Sequence, residues 1–343
     1  MRHLLNTLYV TTQSAYLSRE GTTVLVRVEH ETRLQLPIHT LASIVCFGQV
    51  SVSPPLMELC ADNNVMISFL SEQGKFIARV QAPVNGNVLL RREQYRVADS
   101  QEKSTAIARS VILGKIANCR TILLRAARDR DEGLSAVKSV SAARGMTHSA
   151  RVLRKVTDLD SVRGCEGDAS GKYFAVFDDL IVANKTDFVF TTRNRRPPMD
   201  NVNALLSFTY TLLAHDVTAA CESVGLDPAV GFLHRDRPGR PSLALDLMEE
   251  LRPVLADRLV LSLINRQQVK GGGFTKTESG AVTMSPETKK TLLAEYQKRK
   301  QDEITHPFIG EKIALGLVPF VQARLLARHL RGDLSSYPPF AWK

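Results

Sequence analysis

The sequence predicts an α+β protein: a small N-terminal β-rich, sandwich-like domain (residues 1–87) followed by a larger, mostly α-helical domain (residues 88–343). Three observations carry this expectation. As far as residue 85, apolar residues alternate with polar ones or form short runs of strand length. Beyond Asn87 they recur at the three-to-four-residue spacing of a helix face. With 343 residues, 44% of them apolar, the chain can fill two cores.

The elements follow in order. Thr22 to Glu29 (TTVLVRVE) is β-branched and alternating behind the turn signal Glu20-Gly21, and Arg33 to Pro37 (RLQLP) alternates again. Ala42 to Phe47 and Val65 to Leu70 are apolar runs of buried-strand length. Between them Pro54 to Cys60 reads as one short helix with proline in its first turn. Lys75 to Gln81 returns to alternation, and Ala82 to Asn87 (APVNGN) is an exit turn. In the second domain Ala108, Ile112, Ile116, Cys119 and Leu123 form a helical stripe, with Arg109, Lys115, Arg120 and Arg125 off it. Further helices are expected near 146–160, 172–183, 201–222, 243–265, 286–303 and 308–331. Two loops interrupt them, the basic Thr191 to Pro198 (TTRNRRPP) and Lys270 to Met284, which opens on Gly271-Gly272-Gly273. Loops of this kind often order on a ligand. The stretch after Gly332 is expected to be irregular.

Lys and Arg total 45 against 35 Asp and Glu, a formal charge of +10. Such a surplus favours a polyanionic partner, since each phosphate contact releases counterions; a merely basic soluble protein accounts for it equally well. The five cysteines (Cys46, Cys60, Cys119, Cys165, Cys221) are odd in number and widely spaced, with no Cys-x-x-Cys. That argues against a disulfide framework and against structural zinc. The first apolar stretch turns polar within about ten residues, too soon for a signal peptide, and no run of about 18 apolar residues offers a membrane span. A reducing, cytoplasmic setting is expected.

Three segments carry residue types suited to chemistry. In Arg163-Gly164-Cys165-Glu166-Gly167 an acid stands between two glycines, just before an apolar helix; taken alone, Glu166 reads equally as a solvated turn residue. In Gly231-Phe232-Leu233-His234 a histidine closes a short apolar run and leads into a loop with Arg235, Arg237 and Arg240; alone, it also reads as a boundary residue. In Ser242 to Glu250, Ser242 is the expected N-cap, Leu243, Leu247 and Leu251 form the core stripe, and Asp246 and Glu249 share another face. Together, one imidazole, two carboxylates and three guanidiniums suit Mg²⁺ or Mn²⁺ acting on a phosphodiester better than closed zinc. Arginines beside such ligands supply bidentate phosphate contacts. Gly167 to Tyr173 has the glycines and lysine of a phosphate loop, but the spacing is too short and Tyr173 stands where Ser or Thr must hold Mg²⁺.

The order Arg-Gly-Cys-Glu-Gly (163–167), Gly-Phe-Leu-His (231–234), then Leu-Ala-Leu-Asp-Leu-Met-Glu-Glu-Leu-Arg-Pro (243–253) resembles the CRISPR-associated endonuclease/integrase family. Asn203 to Tyr210 resembles the family's helix ahead of the histidine, and the detail is most similar to the type I-C branch. The resemblance covers essentially the whole chain. It implies a catalytic metal site of Glu166, His234 and Glu249 holding Mg²⁺ or Mn²⁺, with Asp246 as an adjacent acid. Arg163, Arg235, Arg237 and Arg240 are then the expected DNA contacts near the metal, with Arg193, Arg195 and Arg196 more distant; for these last three a solvated loop accounts for the charges almost equally well. The resemblance also implies a homodimer formed through the N-terminal domain, assembled with a dimer of a small ferredoxin-like partner on a short DNA duplex, whose 3′-hydroxyl is joined to CRISPR-repeat DNA. A stand-alone metal-dependent nuclease and a non-catalytic DNA-binding scaffold fit the basic charge too; only the enzymes use the three ligands.

Overall fold

Alternating burial builds the first part of the chain. The computed structural model describes residues 6–81, 88–129 and 133–342, and its first unit spans residues 1–86. That unit contains β1 (Asn6–Val10), β2 (Ala15–Glu20), β3 (Thr23–Val28), β4 (Glu31–Pro37), β5 (Leu41–Phe47), β6 (Val50–Val52), α1 (Pro54–Asp62), β7 (Met66–Leu70) and β8 (Phe76–Val80). One sheet runs β4-β3-β2-β6 and the other β1-β5-β7-β8. Along β2, Ala15 and Leu17 are buried while Tyr16 faces out, the period-two mark of a half-buried strand. β5 is apolar except for Ser43, which meets the Thr7 hydroxyl, because it lies between β1 and β7, paired in parallel with both. Leu17, Val24 and Val26 of one sheet share a core with Ile44, Cys46 and Ile67 of the other and with Leu56 of α1. Ser53 caps α1 by accepting from the Leu56 N–H, just ahead of its two prolines. The sequence reading passed over β1, β2 and β6, which are short and carry polar residues on one side. The expected exit turn at 82–87 lies outside the described residues.

The second unit, residues 87–343, holds α2 (Val88–Asp99), α3 (Gln101–Arg128), α4 (Leu134–Leu153), α5 (Leu159–Ala175), α6 (Asn201–Ser223), α7 (Ser242–Arg252), α8 (Arg258–Asn265), α9 (Pro286–Gln301) and α10 (Val318–Leu330). Small hairpins, β9 (Phe274–Lys276) with β10 (Val282–Met284) and β11 (Glu303–Thr305) with β12 (Lys312–Ala314), interrupt the helices. Ala108, Ile112, Ile116, Cys119 and Leu123 are buried along α3 as expected. The five cysteines are free thiols, and no helix among the described residues is long and apolar enough to cross a membrane.

Three expectations need correction and one needs refinement. Residues 163–167 are not a turn before a helix but the middle of α5, where Val162, Ala169 and Tyr173 make the buried stripe. No helix runs from 172 to 183: α5 ends at Ala175, and Phe174 and Phe177 pack against Phe190 instead. The helix expected at 243–265 runs through as α7, a π segment and α8, with its winding altered at Pro253. Proline has no N–H to give to the previous turn, so residues Pro253–Asp257 slip into a π turn closed by Arg258 N–H on the Pro253 carbonyl. The helix expected at 308–331 starts only at Val318, after β11 and β12.

The turn between β11 and β12 buries His306 completely. Its Nδ1 accepts from the N–H groups of Phe308 and Ile309, while Nε2 meets Gln322 Oε1 at 3.1 Å, which makes Nε2 the protonated nitrogen. Burial holds the imidazole below its usual pKa of 6.5. A lowered histidine pKa stabilises the fold above about pH 6.5 and loses that contribution as pH falls, because the unfolded chain then binds more protons. Urea titrations from about pH 7.5 to about pH 5.5, on either side of the usual histidine pKa, are expected to show stability falling faster for the wild type than for His306→Gln. Parallel curves would remove His306 as the cause.

Candidate active site

Three helices meet at one cation. Lys115 of α3 is only 2% exposed, and its ammonium pairs with Glu166 Oε1 of α5, Glu249 Oε2 of α7 at 2.8 Å and Ser170 Oγ at 2.7 Å. Ser170, one turn beyond Glu166, also donates to Glu166 Oε1 at 2.8 Å. Glu166 lies in register with the buried stripe of α5, which explains why it reaches inward; its side chain still keeps 29% exposure against 8% for Glu249. A second cation, Arg252, stands 2.8 Å from Glu249 Oε2. Burial pushes the Glu249 carboxyl upward, but Arg252 and Lys115 outweigh it and hold its pKa at about 2.

Arg252 has its own seat. Its guanidinium lies 5.3 Å over the Tyr210 ring, and Tyr210 donates its hydroxyl to Asp257 Oδ1 at 2.6 Å. The π turn is what brings Asp257 to this point. Arg193 covers the same ring at 5.1 Å and bonds Asn203 and Ser207. It therefore turns inward from its basic loop and is held by protein groups, unlike the DNA contact expected of it.

His234 is set by Asp246. The Asp246 carboxylate accepts four donors: Phe232 N–H at 2.6 Å and Leu233 N–H at 2.9 Å on Oδ2, His234 N–H at 3.0 Å and His234 Nδ1 at 2.6 Å on Oδ1. Nδ1 thus carries the proton and Nε2 keeps its lone pair. Gly231 makes this close fit possible, since a Cβ there would stand 2.7 Å from Asp246 Oδ2 and 2.8 Å from the Ser242 carbonyl carbon. Ser242 is not the N-cap. It is the first residue of α7, and the Pro228 carbonyl takes the Leu243 N–H at 3.0 Å in place of a side-chain cap.

The arginines divide in two. Arg163 gives Nε–H to the Leu233 carbonyl at 2.8 Å and Nη1 to Asp160 at 2.6 Å, and exposed Arg235 meets the same Asp160 oxygen at 3.1 Å. Burial, together with the guanidiniums of Arg237, Arg195 and Arg196, holds Arg240 below its usual pKa, while Asp246 opposes them. Arg195 and Arg196 thus lie within electrostatic reach of Arg240.

Sequence reasoning missed Lys115 and Arg252. A signal for Lys115 exists: it is the sole charge between Arg109 and Arg120, in a stretch (SVILGKIANC) apolar or small on every helical face. Arg252 stands three residues after Glu249, the spacing of a helical ion pair. Among the described residues, no three His, Cys, Asp or Glu side chains form a ready cage for an ion. The donor types nevertheless suit a hard divalent cation: two carboxylates already converge on one positive charge, and the His234 side chain lies within electrostatic reach of Glu249.

Residues 8–298 match the family described as "CRISPR associated protein Cas1". A protein of Chlorobaculum tepidum named CRISPR-associated endonuclease Cas1 1 is 52% identical over 343 residues, covering 100% of both chains. Among solved structures, a CAS1 protein from Thermotoga maritima matches with a TM-score of 0.81 at 23% identity, over 96% of this chain and 97% of that one. A casposase bound to integration product matches with a TM-score of 0.84 at 22% identity, over 99% and 95%. These two share the fold: a β-rich N-terminal part and a helical remainder.

Proposed function

Because the chain belongs to the Cas1 family of CRISPR-associated proteins, we propose that it is a metal-dependent DNA endonuclease and integrase that inserts short spacers into a CRISPR array. The observation that carries this reading is the convergence of Glu166 and Glu249 on Lys115, with His234, bonded through Nδ1 to Asp246, within electrostatic reach of Glu249. Mg²⁺ or Mn²⁺ held by Glu166, His234 and Glu249 would supply Lewis acidity at the scissile phosphate. Asp246 orients His234, while Lys115 and Arg252 keep Glu249 ionised. Arg163, Arg235, Arg237 and Arg240, joined by Arg195 and Arg196, bind the phosphates on either side. The 3′-hydroxyl of the incoming duplex forms the new P–O bond, and the repeat strand leaves with its own 3′-hydroxyl; no protein side chain becomes a covalent intermediate. The partners in this reading are a second copy of the chain, docked through the N-terminal unit, and a dimer of the small ferredoxin-like protein. The subtype proposed is I-C.

The test uses the full chain with its small partner, a labelled short duplex and repeat-containing DNA. Joined product is expected with a 3′-hydroxyl and a divalent metal, and none with a 3′-dideoxy end or a chelator. Metal-dependent cutting without joining identifies a stand-alone nuclease. DNA binding with neither activity identifies a scaffold.

A further inference from the structure

Residues 334–342 form no regular element, yet Tyr337 and Phe340 are buried. Tyr337 and Phe340 both bond to α7, at the residue that follows Glu249. Glu250, the next residue, is fully buried. Its Oε1 accepts from Tyr337 Oη–H and from Gln322 Nε2 at 2.9 Å, and its Oε2 accepts from Phe340 N–H at 2.9 Å. Gln322 also donates to the Tyr337 hydroxyl at 2.7 Å. From α3, the Asn118 amide donates to the carbonyls of Glu250 at 2.7 Å and Phe340 at 2.9 Å, and accepts from Trp342 N–H at 2.7 Å. The Trp342 ring lies under two guanidiniums, Arg125 at 3.8 Å and Arg258 at 4.4 Å. Gly114 leaves no slack, since a Cβ there would stand 3.0 Å from both Glu250 Oε2 and Pro339 Cβ.

Neighbouring residues on a helix point about 100° apart, at 3.6 residues per turn. Fixing Glu250 therefore fixes the rotation of α7 and, with it, the direction of Glu249. Four donors or acceptors on the strap side set that rotation: Tyr337, Phe340, Gln322 and Asn118. Glu249 itself pairs, among the described residues, with Lys115 and Arg252, through contacts that long flexible side chains can follow. We infer that residues 334–342 are a positioning strap for the candidate active site, holding Glu249 in place through Glu250 and α7 without acting on substrate. This inference rests on the proposed function for what Glu249 does, and on the fold alone for what the strap does.

The test compares full-length wild type with Trp342→Ala, which removes the clamp between the two arginines, and Tyr337→Phe, which removes one bond to Glu250 and keeps the ring. Arg331→Ala, on the exposed surface nearby, is the control. Hydrogen exchange of the α7 amides is expected to quicken about fivefold or more in both strap variants while the rest of the helical unit keeps its protection. Turnover on DNA is expected to fall about tenfold, as for residues that orient ligands, with KM for DNA within about twofold of wild type. Should Trp342→Ala fail to fold, Tyr337→Phe carries the same comparison. Unchanged α7 exchange, or turnover that falls only in step with the folded fraction, overturns the inference. A wild type inert on DNA sinks the proposed function instead, and α7 exchange alone then decides for or against the strap.

Discussion

Asp246→Asn is expected to lower divalent-metal affinity and turnover by about 10- to 100-fold, the range for a group that orients a metal-ligating histidine. The reason lies in the count of donors. Asp246 receives three backbone N–H groups and one ring N–H, and all four need an acceptor. Asparagine offers one oxygen and one NH₂. If the NH₂ replaces Oδ2, it faces the N–H groups of Phe232 and Leu233 and leaves two buried donors unsatisfied. If it replaces Oδ1, His234 must turn Nδ1 into an acceptor, which puts the proton on Nε2 where the lone pair is wanted. Each unsatisfied donor costs about 1–3 kcal/mol, so thermal stability falls as well. Isothermal titration with Mn²⁺ separates the two effects. Wild-type affinity in a folded Asp246→Asn protein would show that His234 does not depend on its aspartate.

Lys115→Met is expected to destabilise the helical unit by about 3 kcal/mol, the lower end for breaking a buried ion pair. The lower end applies because Glu249 keeps Arg252 as a second cation, and Glu166 keeps the Ser170 hydroxyl and the electrostatic attraction of Arg252. Methionine fits the length of the lysine stem, so the loss comes from charge rather than from a cavity. For a unit of this size that corresponds to a fall of roughly 6–12 °C in melting temperature. Millimolar Mn²⁺ should restore more of the loss in Lys115→Met than it adds to wild type, since a divalent ion relieves the same repulsion. Scanning calorimetry with and without metal reads both numbers. An unshifted melt would mean that the three-helix ion pair contributes nothing net.

Much of the architecture was legible because burial has a period. The strands at 22–29, 33–37, 42–47 and 65–70 and the stripe on α3 follow directly from alternation and from helical spacing. The breaks were less so. Pro253 stands in full view in the sequence, but the apolar pattern on both sides continues, and only the hydrogen-bond ladder shows the slip to a π turn. The glycines around Glu166 suggested a turn; they are instead exposed on α5, where a Cβ would meet nothing, so no packing reason excluded helix. As for the candidate site, His234, Asp246 and Glu249 stand out together by residue type and spacing, whereas Glu166 enters through the family resemblance. Lys115 could not be joined to them from 51 residues away, because nothing local records which helices will be neighbours. The role of Asp246 was likewise left open, since two acids three residues apart look alike until one of them is seen receiving four donors.

The π turn at Pro253–Asp257 limits how this protein can be hardened against heat. Restoring a regular helix by replacing the proline would recover about 3 kcal/mol of helix propensity, an attractive step in any stabilisation campaign. It would also remove the extra residue from the winding, and everything beyond Arg252 would rotate by about one helical position. Asp257 would then lose Tyr210, and Arg252 would lose the seat from which it holds Glu249. At this one place ruggedness and reactivity are opposed, and an engineer seeking a thermostable version should work elsewhere.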